Sequence, residues 1–388
     1  MILRHLDERL MRHFAKYKEV MVLLGARQTG KTTILKRLFP SACYLLVDNE
    51  PVRKILETYD IKTYQTLFPA DCDILVIDEL HLVDNPGRVA KIIYDQKPNI
   101  KLVITGSSSF HLKNKTTESL AGRKIDYQLF PLTFSEYLYQ QQIESSLNFQ
   151  ILENVLCGGG DADKLLPFDL QAILGNVLIY GLYPGMIAHP HDQQYLLNLV
   201  DSLIFKDLID LQLIENRKLA LQLLKVLAHQ IGNLINYAEL SRKLEADART
   251  IKRYIEIFEQ NFILYRLYPY SKNPRLEINK SPKIYFYDNG IRNALINNFN
   301  VLLDRNDVGA LFENFIICEL LKANSYQQTG QIMHFWRDNN GAEVDLVLNR
   351  GNELIGVEIK YGQGKISQAF RNKYPEATAL TVNRFNFY

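Results

Sequence analysis

The chain has 388 residues, 47% of them hydrophobic and 23% charged, with a net charge of +2. That length exceeds one ordinary core and predicts two or three domains of a soluble globular protein, and no apolar run approaches the length needed to cross a bilayer. The near-neutral balance says nothing by itself about nucleic acid, so only local clustering of cations can make that case.

The opening MILRHLDERLMRHFAKYKEV is amphipathic and charged, with neither the apolar core nor the cleavage site of a signal peptide, which predicts a cytoplasmic protein. Cys43, Cys72, Cys157 and Cys318 are scattered without CxxC pairs. Reduced, structural thiols are expected rather than a disulfide framework or a zinc knuckle.

EVMVLLGARQTGKTTILKRLF reads as a buried strand, a glycine-containing loop and a helix, and GARQTGKT matches G-x-x-x-x-G-K-[ST] in full. Gly25 and Gly30 let the backbone curl so that the N–H groups of Ala26, Arg27, Gln28, Thr29, Lys31, Thr32 and Thr33 surround phosphate at a helix N-terminus. Lys31 is expected to reach the β- and γ-phosphates of ATP, and the Thr32 hydroxyl to ligate Mg²⁺.

The next matching element, CDILVIDEL, ends a strand in Asp78 and Glu79. Asp78 is assigned to the metal shell and Glu79 to the attacking water; the alternative for Glu79 is a cap on the following segment. KLVITGSSSF gives a further strand, after which Ser107 or Ser108 is placed to sense the γ-phosphate, although three serines in a row are also ordinary turn residues. Strands near 19–25, 42–48, 73–78, 101–106 and 125–130 predict an α/β fold with a parallel sheet, helices on both faces and the ligand at the strand carboxyl ends. Arg123, just before the last strand, suits a finger onto the γ-phosphate of a neighbouring subunit in a homo-oligomer, or a local salt bridge.

After FPLTFSEYL the pattern turns helical, interrupted by CGGGDAD (157–163), and a lid is expected through 192–229. His189 and His191 lack a third ligand of fixed spacing and read as surface residues. LALQLLKVLAHQIG, NYAELSRKL and ARTIKRYIEIFEQN then predict three helices, and FILYRLYPY and KIYFYD a hairpin around a basic loop, which together make a winged helix-turn-helix. On the third helix Ile251, Ile255 and Phe258 form the apolar stripe and Arg249, Lys252 and Arg253 the opposite side. These cations, with Lys272, Arg275, Lys280 and Lys283 of the wing, are candidates for DNA phosphates. Protein–protein docking is the competing use of such a module, and Glu256 and Glu259 dilute the basic face.

The last ninety or so residues read α-β-β-β-α-β. In EVDLVLNRGNELIGVEIK a short turn of even length puts Glu343, Asp345, Glu358 and Lys360 on one face of a hairpin, where two or three oxygens suit Mg²⁺ and an ammonium can orient water. Glu313, inside the apolar stretch ALFENFII, is a further candidate ligand, since an acid there needs a partner. Solvent exposure on the outer face of the hairpin is the alternative for Glu343 and Glu358.

GARQTGKT, VIDEL, ITGSSS, LAGRK with LFPLTFSEYL, KSPKIYFYDNG, ALFENF, FWRDNNGAEVD and VEIK, in this order over nearly the whole chain, resemble the prokaryotic AAA-type ATP-binding proteins with a C-terminal domain of unknown function. The resemblance implies that the tail is similar to the PD-(D/E)XK nuclease fold, with Glu313, Asp345, Glu358 and Lys360 at its signature positions. One departure is Ala342, where a proline often precedes the acid-bearing segment. The expected organisation is a P-loop ATPase core at 1–140, a helical lid at 141–218, a winged helix at 219–295 and a nuclease-like α/β domain at 296–388. The expected function is Mg²⁺-dependent ATP hydrolysis controlling a tail that acts on DNA. An ATP switch binding a protein partner through an inactive scaffold is the alternative.

Overall fold

The structure, a computed structural model, describes residues 2–106, 120–156, 168–209, 213–271, 281–351 and 353–388. Ser107, Ser108, Cys157, the rest of 157–163, Lys272, Arg275 and Lys280 lie outside the described residues. The chain divides into two compact units.

The first unit comprises Met1–Pro131, Leu203–Glu215 and Glu256–Phe262. Its sheet is built from β1 (Val20–Leu24), β2 (Cys43–Leu46), β3 (Ile74–Asp78), β4 (Lys101–Gly106) and β5 (Lys124–Gln128), all parallel, in the order β2-β3-β4-β1-β5. Every side chain of β1 is fully buried, as a strand covered on both faces requires, and this explains why VMVLL reads as an unbroken apolar run. Ile34 and Leu35 of the helix Lys31–Leu38, and Val89, Ala90 and Ile93 of the helix Pro86–Gln96, belong to the same core. The second helix begins with Asn85 accepting the Arg88 N–H and Pro86 at its first position, both favourable helix-start features. β1 and β3 both run parallel to β4, which lies between them, so the loop after β1 and the acids at the carboxyl end of β3 open at the same edge.

The second unit comprises Leu132–Ser202, Asn216–Ile255 and Ile263–Tyr388. It is organised on a mixed sheet of β6 (Leu264–Pro269), β7 (Lys283–Phe286), β8 (Ile332–Arg337), β9 (Glu343–Arg350), β10 (Glu353–Ile359) and β11 (Thr378–Val382), in the order β11-β10-β9-β8-β6-β7. The two strands β6 and β7 pair antiparallel, and β6 also runs parallel to β8, so this pair extends the sheet of the tail. Arg350 pairs with Glu353, and Gly351, directly after Arg350, has φ of 61°, a left-handed conformation that suits glycine. The helix Val308–Gln327 lies against β7 and β10. On the sheet, Trp336, Val344, Val347, Ile366, Phe370 and Tyr374 close one core cluster.

The three helices expected before the hairpin are Arg217–His229, Tyr237–Leu244 and Ala248–Gln260; Asn216 and Asn236 cap the first two by accepting the N–H of Leu219 and Glu239. Ile251, Ile255 and Phe258 are buried, and Arg249, Lys252 and Arg253 are exposed. Among the described residues no helix is long and apolar enough to cross a membrane.

Candidate functional site

The loop after β1 is shaped by what its glycines permit. A Cβ on Gly25 would lie 2.2 Å from the Leu129 carbonyl oxygen, a close backbone approach that only glycine allows. Gln28 (φ 61°) and Gly30 (φ 97°) are both left-handed, which curls the segment before the helix starts at Lys31. Thr29 donates to the Ala26 carbonyl at 2.8 Å. Arg27 is half-buried, Gln28 and Thr33 are exposed, and Ala26 and Thr29 are buried. The Lys31 ammonium lies over the loop, donating to the carbonyls of Gly25 at 2.9 Å and Ala26 at 3.0 Å.

Around Asp78 the polar groups converge. Thr32 donates to Asp78 Oδ2 at 2.7 Å, the Tyr44 hydroxyl donates to the same oxygen, and Thr105 donates to Oδ1. Burial, reinforced by the Asp78 carboxylate, raises the Tyr44 hydroxyl well above its ordinary pKa and keeps it a donor. Thr105 in turn accepts the Glu79 N–H at 3.0 Å. Glu79 is left-handed (φ 58°), its carboxylate lies 3.2 Å from His81 Nδ1, and its side chain makes no capping hydrogen bond to the turn Leu80–Leu82. Arg123 lies 3.5 Å from Asp95, the local salt bridge foreseen as one of its two readings.

Three participants were not picked out from the sequence. Thr105 and Tyr44 are the first two. The third is Arg4, which is buried and donates to the Thr29 carbonyl at 2.9 Å and the Phe130 carbonyl at 2.7 Å, bracing the loop from the N-terminal segment. A polar residue one position before the end of β4 was the available signal for Thr105; nothing local distinguishes Tyr44 or Arg4.

The chemical fit of this arrangement to a magnesium nucleotide rests on the donor set. Thr32 and Asp78 bring two oxygens to one point beside the loop, and these would hold Mg²⁺. Loop N–H groups and Lys31 supply positive potential next to them.

In the second unit the register Val357 opposite Leu346, continued by one residue, brings Glu358 beside Asp345. Lys360 reaches both, at 2.9 Å to Asp345 Oδ2 and 2.9 Å to Glu358 Oε1, and the Ile359 N–H donates to Asp345 Oδ2 at 2.8 Å. Glu313 enters from the helix Val308–Gln327 and accepts the Tyr285 hydroxyl at 2.6 Å. Glu313, Glu343, Asp345, Glu358 and Lys360 are thus brought into one cluster, and their side chains are largely withdrawn from solvent, Lys360 least. Burial pushes the Glu313 carboxyl up to about 7, against the pull of Lys283, and burial also raises Glu358, helped by Asp345.

Lys283 corrects the sequence reading. Expected on the wing as a phosphate contact, it is 3% exposed and its Nζ lies 2.5 Å from Glu343, 3.4 Å from Glu313 and 4.0 Å from Asp345. Burial opposes its charge, but the three acids outweigh that and hold the ammonium above its usual pKa. A divalent ion does not fit this cluster as it stands, because a buried ammonium already lies among three of its carboxylates, and among the described residues no group of three His, Cys, Asp or Glu side chains is disposed to hold a metal.

Residues 17–138 match a family described as an AAA domain. Residues 171–301 and 308–384 match two domains of unknown function, DUF8612 and DUF4143. An uncharacterised protein, MJ1637, of Methanocaldococcus jannaschii is 26% identical over 92% of this chain and 78% of its own length. An uncharacterised protein of Haemophilus influenzae is 20% identical over 91% of this chain and 86% of its own. Among solved structures, the Walker-type ATPase of Pyrococcus abyssi covers 74% of this chain and 94% of its own, with 15% identity and a TM-score of 0.47.

Proposed function

We propose that this chain, whose residues 17–138 form an AAA-type P-loop domain, binds and hydrolyses ATP with Mg²⁺, and that its nucleotide state controls a C-terminal region that binds DNA. The observation that carries the first part is the meeting of Thr32 with Asp78 at 2.7 Å beside a loop crossed by Lys31.

In this reading the loop N–H groups bind the phosphates and Lys31 leaves the Gly25 and Ala26 carbonyls for the β- and γ-phosphate oxygens. Thr32 and Asp78 would hold Mg²⁺, which would supply charge neutralisation at the phosphate oxygens. Glu79 orients the attacking water and accepts its proton, while Thr105 keeps the Glu79 backbone and the Asp78 carboxylate in fixed relation. Arg123 lends a guanidinium to a neighbouring copy after leaving Asp95.

For the C-terminal region, the exposed Arg249, Lys252 and Arg253 on one helix favour phosphate contact. A second reading, an ATP switch that binds a protein partner through an inactive nuclease-like scaffold, is favoured by the buried Lys283 within the carboxylate cluster.

The experiment is Mg²⁺-ATP hydrolysis and salt-dependent DNA binding by wild type, Lys31→Ala and a triple Arg249→Ala/Lys252→Ala/Arg253→Ala variant. Lys31→Ala should lose nucleotide-induced thermal stabilisation and hydrolysis. The triple variant should bind DNA more weakly, with the slope of log K against log salt reduced by about 2–3, near 0.9 per lost phosphate contact. Hydrolysis without salt-dependent DNA binding, accompanied by ATP-dependent association, would move the assignment to the second reading.

A further inference from the structure

Lys283 stands on β7 with its backbone held on two sides, by the β6 ladder at Leu267 and by a bridge to Leu234. Its stem is buried and its Nζ lies 5.5 Å from the centre of the Phe335 ring. From this anchored position the ammonium meets Glu313 of the long helix and Glu343 and Asp345 of β9. Lys360 holds the other side, between Asp345 and Glu358.

Carboxylates gathered this closely and withdrawn from water require a cation, and a hard divalent ion surrounded by oxygens at about 2.0–2.6 Å is one solution. A tethered ammonium is another, and the two exclude each other because each needs the same oxygens. The balance is incomplete even with both lysines: Glu358 Oε2 is buried with no hydrogen-bond partner among the described residues, and Arg337 approaches Glu343 only at 3.8 Å from the more exposed side.

We propose that Lys283 is a built-in cation of this cluster: its ammonium takes the position a divalent ion would require, and removing it converts Glu313, Glu343 and Asp345 into a divalent-cation site. The inference stands independently of the ATP and DNA readings, since it concerns only which cation the acids hold.

The test uses the full chain without nucleotide and Mn²⁺ as the probe, counting bound Mn²⁺ by loss of the free-ion electron paramagnetic resonance signal. Any Mn²⁺ on the P-loop is subtracted by comparing each protein with its Asp345→Asn counterpart. In wild type the Asp345-dependent binding should be absent or weak. In Lys283→Met it should appear roughly tenfold tighter or more, with a Mn²⁺-dependent rise in Tm that wild type lacks. Lys283→Arg, which keeps the cation, should behave as wild type.

Equal Asp345-dependent affinity in wild type and Lys283→Met would overturn the proposal, and so would a folded Lys283→Met that binds none. Folding of Lys283→Met only with Mn²⁺ would support it. If that variant folds under neither condition, Lys283→Gln, which keeps all three acids and a polar side chain, decides by the same comparison, and absence of Asp345-dependent Mn²⁺ in it counts against the proposal.

Discussion

Thr105 donates its hydroxyl hydrogen to Asp78, and through the same oxygen it accepts the N–H of the next residue, Glu79. One hydroxyl on β4 thereby fixes both the acid that ends β3 and the acid that follows it. Replacing Thr105 with valine keeps the shape and removes this link. A lost hydrogen bond to a charged group corresponds to about 1.5–3 kcal/mol, so kcat for Mg²⁺-ATP hydrolysis should fall about 10- to 100-fold while ATP affinity changes by less than about threefold. Steady-state phosphate release with calorimetric ATP titration tests this, and an unchanged kcat would remove Thr105 from the machinery.

The raised pKa of Glu313 predicts a particular pH dependence of stability. The folded chain binds this proton up to about pH 7, whereas the unfolded chain releases it near the ordinary value of 4.5. The folded state therefore holds more protons across that window, and Glu313's contribution to stability is full below about pH 4.5 and is lost as pH rises through about 7. The rise corresponds to about 3 kcal/mol at most. Urea unfolding of wild type and Glu313→Gln between pH 5 and 8 should show wild type losing ground to the variant by about 1–3 kcal/mol as pH increases. Parallel profiles would show that the carboxyl is ionised throughout.

Packing under β10 gives a third expectation. A Cβ on Gly356 would lie 2.5 Å from Phe370 Cε1 and 3.2 Å from Ile366 Cδ1, and Phe370 is fully buried. Gly356→Ala should destabilise the second unit by about 1–3 kcal/mol, and Phe370→Leu in the same chain should recover part of that loss. Denaturant midpoints of the two single variants and the double decide it; simple additivity would mean that the two side chains do not interfere.

The parts legible in the sequence are those whose physics is local. A five-residue apolar run followed by glycines and a lysine gives strand, loop and helix from neighbours alone, and the spacing within GARQTGKT carries its own chemistry. The hairpin was legible for the same reason, because a tight turn sets which side chains share a face. Lys283 was not legible. It follows a polar loop and looks like a solvated cation, and its burial depends on β6 joining β8 and on acids that lie 30 and 60 positions later, at Glu313 and Glu343. Thr105 was overlooked for a different reason. The three serines just beyond it advertised polar chemistry, whereas a threonine inside an apolar strand reads as a β-branched core residue. Arg4 braces a loop 25 residues away from an opening segment whose pattern is only that of an amphipathic helix.

The ion pairs of Lys283 also bear on how such chains can be inherited. The lysine and Tyr285 belong to the stretch before residue 301, and the acids they meet belong to the stretch after residue 308. A recombination event that exchanged either stretch for an unrelated one would strand a buried ammonium or a buried carboxylate without its counter-charge, at about 3–5 kcal/mol for each broken pair. Segments tied in this way are expected to travel together through gene fusion and shuffling, and to accept substitutions at Lys283 only alongside compensating changes at Glu313 or Glu343.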